Sequence, residues 1–358
     1  MAGGADSGTC AKEHLLSPRS KLREEATMEG TRLLRAVARP PYRTALIVVA
    51  IAATMGAFFA TSYSLALGRE TPHEIPMALV GSEGGSPELV AALERGVSGQ
   101  LAFRPYASAR AAEAAIGEQK EYAALVLEPG RPRLLVASAS GVSVAQVLED
   151  AAEGVVSRSG VPELEVVDLH PLPPSDPQGL VGFYVTFVAS IVGFFSAFQL
   201  VTNAKGLSLR AWLAVVLLLA VVGGLLLALA TDPIIGALEG SFAELWAAVG
   251  AEIAVAALFA STMVVLIGRW AVLPTFTLFV ILGSASSGGA VAPPLLPRFY
   301  ELIGRFLPPG ATVETLRSAV YFPDAQHWEP IVTMTIWLVG ALTGLLVSSR
   351  LRGRVPAG

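Results

Sequence analysis

The chain has 358 residues, of which 53% are hydrophobic and only 15% charged, with a formal net charge of −4. Soluble globular proteins carry roughly 25% charged residues, so the deficit points to lipid as a solvent before any segment is read. A pI near 5.7 and a mean hydropathy of +0.59 argue against a nucleic-acid binder, which needs a basic face. The single cysteine, Cys10, excludes an internal disulfide and leaves little for a thiolate metal centre.

Charge is unevenly spread: residues 1–43 are basic and residues 69–178 acidic. Residues 1–27 are polar and Gly-rich at the start, the composition of a disordered cytoplasmic tail, and Met28 is an alternative start. In the entry segment, 28–43, Leu33, Leu34 and Val37 face away from Arg32, Arg35 and Arg39. That pattern suits a short helix lying on the cytoplasmic membrane surface with its arginines toward anionic headgroups; an ordinary basic flank fits equally. Pro40-Pro41 ends the segment, and an apolar run follows at 44–67. It is too long for the apolar part of a signal peptide and starts too late, so it reads as an uncleaved first transmembrane helix.

Residues 68–179 alternate strand and helix. Strands are expected at Pro76–Val80, Leu101–Tyr106, Tyr122–Leu127, Arg133–Ala139 and Leu164–Leu169, and helices at Pro87–Val97, Ala109–Gln119 and Val142–Val156. Such alternation with short linkers predicts a mixed α/β layer structure. Pro171, Pro173, Pro174 and Pro177 then form a stiff lead into the next span.

A five-helix transmembrane region, 180–349, completes the chain before a tail at 350–358. A helix crosses the hydrocarbon with roughly 20 apolar residues, and Leu180–Val201, Ala211–Ala230, Phe242–Gly268, Ala271–Ser287 and Ile331–Ser349 each meet that need. With six spans, Arg43, Lys205, Arg210, Arg269, Arg350, Arg352 and Arg354 all flank the same side, whereas the 231–241 loop has Asp232 and Glu239 instead. The excess of Lys and Arg on cytoplasmic flanks makes both termini cytoplasmic and puts the α/β domain outside the plasma membrane. The expected fold class is therefore a polytopic α-helical membrane protein with a mixed α/β extracytoplasmic domain between helices 1 and 2.

The loop after the fifth span has its own helical pattern. Phe299, Leu302, Ile303, Phe306 and Leu307 share one face, with Arg298, Glu301 and Arg305 opposite. Pro308-Pro309-Gly310 should break that helix, and a second should start with Thr312 as its cap and bury Val313, Leu316 and Val320. The result is an outer helical hairpin at 298–320, dipping into the outer leaflet or capping the bundle.

Motifs for chemistry are missing. No phosphate-binding G-x-x-x-x-G-K-[ST] run occurs; the Gly-rich stretch from Val80 to Ser86 lacks the lysine and reads as a turn, with Ser86 capping a helix that starts at Pro87. His73-Glu74 begins like a zinc motif, but Met77 stands where a second His is needed, and no G-x-S-x-G occurs. The chain reads as a non-enzyme with no catalytic residue, metal site or cofactor. Glu244 and Glu252 are the charges inside the spans and project from nearly the same face of the fourth helix. Glu244 falls at the outer interface. Glu252 lies two turns deeper, where an ionisable group faces a bundle interior or a water-filled path; lining a translocation path and being an internally hydrogen-bonded glutamate are the two readings. Clusters of small residues at Gly223-Gly224 and at Ser284–Gly289 permit close helix approach.

The order of one span, an outer domain and five more spans resembles the six-helix permeases of the type-2 ABC exporter superfamily, and within it the phage-infection-protein branch. Local runs carry the likeness further: Asp168-Leu169-His170-Pro171-Leu172-Pro173-Pro174 leading to Asp176-Pro177, the stretch Glu113–Leu127, and the Pro-rich segment from Pro293 through Pro308-Pro309-Gly310 to Tyr321-Phe322. The resemblance implies a permease subunit that moves a small or lipid-like molecule outward, as a homodimer or with a related permease chain, driven by a separate ATP-binding subunit. It implies coupling to that subunit through the entry segment, with Arg32 and Arg35, and through the loop 202–210, with Lys205 and Arg210. That loop departs from the pattern in being short and lacking a coupling-helix sequence. The alternative is a non-transporting envelope protein whose outer domain binds a ligand, phage or secretion-machinery partner. Lipid is a partner in both readings and nucleic acid in neither.

Overall fold

The computed structural model describes residues 40–68, 71–81, 87–128, 131–159, 164–353 and 355–356. The tail at 1–27, Arg32, Arg35 and the rest of the entry segment to residue 39, and Ser82–Ser86 of the Gly-rich turn lie outside them. The chain divides into two compact units, Met1–Ala57 and Phe58–Gly358. The boundary falls inside the first helix, α1 (Pro40–Leu67).

The α/β portion alternates as β1 (Ile75–Val80), α2 (Pro87–Gly96), β2 (Leu101–Tyr106), α3 (Ala109–Gly117), β3 (Ala123–Val126), β4 (Arg133–Val136), α4 (Val142–Ser159) and β5 (Glu165–Asp168). The strands form one mixed sheet in the order β2-β1-β3-β4-β5. β1 pairs in parallel with both β2 and β3, β3 pairs antiparallel with β4, and β4 pairs in parallel with β5. Side chains alternate across a strand, and here both faces are covered. Ile75, Met77, Leu79, Leu125, Leu134 and Val136 pack with α2 and α4, while Ala78, Val80, Val126 and Leu135 pack under α3. Burial on both sides explains why β1 and β3 read as continuous apolar runs. The larger face also takes in Ala285, Val291, Leu295, Leu296 and Tyr300, so the sheet layer is built directly onto the chain that follows the membrane helices.

Five stretches are long and apolar enough to cross a membrane: Tyr42–Leu67, Val181–Asn203, Leu209–Ile234, Phe242–Ser284 and Trp328–Arg352. These are the marks of a multi-pass membrane protein. They correspond to α1, α5 (Val181–Asn203), α6 (Leu209–Leu229), α7 (Phe242–Ile267) continued by α8 (Val272–Phe276), and α11 (Trp328–Arg352). The fourth stretch is not one rod. Gly268 has φ +60, a left-handed conformation that glycine adopts without strain, and a tight turn at Gly268–Ala271 follows. Phe259 and Phe279 then touch edge to face with ring centroids 5.8 Å apart, whereas a continuous helix would hold them about 30 Å apart. The chain doubles back at Gly268, and its return limb relaxes into a wide π-helical stretch at Thr277–Ser284.

α7 is the central helix, packed by α5, α6, α11 and α10 (Pro308–Tyr321). Small residues set the closest crossings. A Cβ on Gly224 would lie 2.9 Å from Gly250 Cα, so α6 and α7 meet backbone to backbone, as expected of that cluster. Gly193 of α5 packs equally tightly against Ala256 of α7. Trp212 is fully buried and donates its indole N–H to Ser261 Oγ at 3.0 Å, satisfying the polar tip of a large apolar side chain.

Two details of the hairpin differ from expectation. α9 (Arg298–Gly304) is shorter than the sequence pattern, and α10 starts four residues before Thr312, with Pro308 and Pro309 as its first helical positions. Proline lacks an N–H that the first turn does not need, so this Pro-Pro pair starts a helix. Thr312 is one turn inside α10 and caps nothing. Phe299 and Leu302 of α9, and Phe306 just beyond it, are more than half exposed, while Tyr300 is buried.

Candidate functional site

The loop from α3 to β3 brings polar groups to the edge of the sheet layer. Gln119 sits at φ +54, a conformation uncommon outside glycine, and this kink carries Glu121 inward until its side chain is fully enclosed. Glu121 Oε1 accepts from Arg104 Nη1 at 3.1 Å and from the Tyr106 hydroxyl at 3.0 Å. Its other oxygen, Oε2, is buried with no hydrogen-bond partner, as is Ser140 Oγ. Burial and the bond to Glu121 both raise the Tyr106 pKa, and burial pushes the adjacent Tyr122 well above the usual phenol value.

Across from this loop runs α10. Gln119 Nε2 donates to Ser318 Oγ at 3.4 Å. Arg317 donates to Glu314 Oε2 at 2.8 Å and to the Gly288 carbonyl at 2.7 Å, tying α10 to the turn after the membrane helices. Between loop and helix lies a small cavity of about 30 Å³ lined by Gln119, Glu121, Tyr122, Ser140, Glu314 and Arg317. Gln119 and Glu314 also line a larger cavity of about 330 Å³, together with Glu301, Arg305, His327 and Glu329. Glu301 is held in turn by His73 Nε2 at 2.9 Å and Arg305 at 3.6 Å. Among the described residues lining these two cavities, four carboxylates face two guanidinium groups.

Below the hairpin, Glu252 is fully buried at the meeting of three helices. Its Oε1 accepts from Ser190 of α5 at 2.5 Å and its Oε2 from Thr312 of α10 at 2.8 Å. Both carboxylate oxygens are thus satisfied, as an ionisable group at such depth requires, and Glu252 lines neither cavity. A third space is apolar: a groove of about 600 Å³ between α6, α7 and α11, with Leu217, Val221, Trp246, Gly250 and Leu338 along it.

No family model, no curated protein and no solved structure matches this chain. The reading of the site therefore rests on its own geometry.

Glu244 and Glu252, expected together on one face, have separate surroundings. Glu244 is in the first turn of α7 and accepts from Gln326 at 2.5 Å; Glu252 takes part in the three-helix junction. Lys205 and Arg210 are exposed, at either end of the short connection between α5 and α6. His73 meets a carboxylate, and among the described residues no three His, Cys, Asp or Glu side chains are grouped to hold a metal. Glu121, Ser140, Gln119, Glu314 and Arg317 were not singled out by sequence. The signals available were a glutamate directly before a fully apolar strand and an arginine inside an apolar helical face.

Proposed function

We propose that the chain is the membrane subunit of an export permease of the type-2 ABC kind, crossing the cell membrane six times with both termini in the cytoplasm and the α/β portion outside. The observation that carries this reading is the reversal at Gly268. With α7 and α8 as separate crossings, Lys205, Arg210, Arg269, Arg350 and Arg352 fall on one side, as the distribution of basic residues on cytoplasmic flanks favours. Counted as one crossing, that stretch would send Arg350 and Arg352 to the opposite face. One span, an α/β domain and five further spans is also the order that the resemblance to these permeases implies. The apolar groove beside α7, open toward lipid, supports a small or lipid-like cargo. ATP hydrolysis belongs to a separate subunit, contacted through the exposed Lys205–Arg210 connection, and two permease chains form the path.

The second reading, a non-transporting envelope protein, draws support from the cavity beside Glu314 and from the enclosure of Glu252 away from it. Affinity purification from native membranes in mild detergent, with ATP hydrolysis assayed on the eluate, separates the two. A stoichiometric ATPase that is lost when Lys205 and Arg210 are changed to Glu supports the permease. An eluate with neither nucleotide-binding partner nor activity, when a control transporter stays intact, favours the binding protein.

A further inference from the structure

We infer that the cleft between the sheet layer and α10 is a binding site for a small organic amine, whose ammonium group is received by Glu121 Oε2 and Ser140 Oγ. This goes beyond the permease reading and does not depend on it, since the site is tested by binding alone.

Two buried oxygens without partners carry the argument. A buried polar atom left unpaired costs about 1–3 kcal/mol, and such atoms are rare enough to need a reason. Here Glu121 and Ser140, the residues that carry these two oxygens, line the same small cavity. Their chemistry is complementary to a donor: a carboxylate oxygen accepts, and a hydroxyl can accept. Gln119, whose amide nitrogen donates to Ser318 Oγ, is a further polar residue of the wall. An ammonium has N–H donors and no acceptor, which matches a carboxylate oxygen and a hydroxyl.

Size selects the ligand further. The small cavity, about 30 Å³, exceeds the roughly 10–15 Å³ that one water-sized group needs, so it takes a charged head and no more. The adjoining cavity of about 330 Å³ shares Gln119 and Glu314 as walls and adds Pro293, Ala311 and Pro330 to its carboxylates, which suits the body of a small organic molecule. A bare metal ion fits less well, because among the described residues no group of three acidic or imidazole side chains converges. An anion is disfavoured by the unpaired carboxylate oxygen itself.

The test is calorimetric titration of the full chain, purified in mild detergent, with butylamine, phenethylamine and putrescine, and with butanol, butyrate and calcium chloride as comparisons. Saturable binding of an amine without binding of butanol or butyrate is expected, weakened at least about tenfold in Glu121→Gln, because a charge-assisted hydrogen bond is lost. Glu121→Gln also disturbs the Arg104 and Tyr106 contacts, so Ser140→Ala is the second variant. It removes only an unpartnered hydroxyl and should weaken the amine several-fold without lowering the thermal midpoint. Glu118→Gln, at an exposed neighbouring pair, should bind as the unaltered chain does. The inference is overturned if no amine binds at millimolar concentration, if calcium binds in its place, or if amine binding is the same in both cavity variants.

Discussion

Replacing Gly193 with alanine tests whether α5 and α7 are locked backbone to backbone. A Cβ there would meet the Ile253 carbonyl oxygen, Ala256 Cβ at 2.8 Å and Ala257 N at 3.2 Å. Two of those three atoms belong to the backbone of α7 and cannot rotate away, so α5 must move outward. The seam it would open holds Ala189, Ile253 and Ala256, all fully buried. Overpacking of this kind costs about 1–3 kcal/mol, against a gain of about 0.5–1 kcal/mol from replacing glycine inside a helix. Gly340 of α11 supplies the control, because a Cβ there meets nothing within 4 Å. Gly340→Ala should stabilise by the propensity gain alone, and the two variants should differ by the overpacking cost, about 1–3 kcal/mol. The assay is reversible unfolding in SDS titrated against mild detergent, followed by tryptophan fluorescence. A Gly193→Ala protein at least as stable as Gly340→Ala would refute the close packing of α5 on α7.

The same titration reads the Glu252 junction: Ser190→Ala and Thr312→Val should each destabilise by about 1–3 kcal/mol, by leaving a buried carboxylate oxygen short of a donor. Their double variant should deviate from additivity by more than about 0.5 kcal/mol, since both donors serve one carboxylate; strict additivity would count against a shared junction. In the α/β portion, Leu148→Ala should cost about 2–5 kcal/mol, because Leu148 is fully buried between α4 and the sheet; a loss below 1 kcal/mol would argue against that packing. His170 gives a pH dependence. Burial lowers its pKa from the ordinary 6.5, outweighing the opposite pull of Asp168, and its ring lies 4.7 Å from Phe322. The stability it contributes is present above the unfolded pKa and is lost as pH falls through the depressed folded value. His170→Phe keeps the ring contact and removes the titration, so the unaltered chain should lose stability relative to this variant as pH drops below about 6.5. Parallel pH profiles would contradict it.

Periodicity made the local elements readable. The expected strand at Leu101–Tyr106 has those bounds in the structure, and those at 76–80 and 122–127 shift by a single residue at the ends. Sheet order was not readable, because apolar runs buried on both faces do not say which neighbour they pair with. The turn at Gly268 was legible as a basic interruption between two apolar runs. Thr312 misled because a threonine after Pro-Pro-Gly has the local look of a cap, while its actual bond reaches across to Glu252. Glu121, Gln119 and Arg317 escaped notice for the same reason: their cavity is made by bringing residue 119 beside residue 318, and no local pattern encodes that meeting. Phe299, Leu302 and Phe306 are exposed, and their periodicity alone leaves open whether that face meets the leaflet or the bundle. In lipid an apolar helical face can point outward, so a stripe of that kind marks a surface as readily as a core.

Counting the crossings tests the account most directly. Cys10 is the only cysteine, so after Cys10→Ser single cysteines can be placed at the exposed positions Glu118, Lys205, Glu239, Arg269 and Arg350 and challenged with a membrane-impermeant maleimide in intact cells. Six crossings predict labelling at 118 and 239, and protection at 205, 269 and 350 until the membrane is permeabilised. Labelling of position 350 in intact cells, or protection of position 118, would contradict the topology on which the permease reading stands.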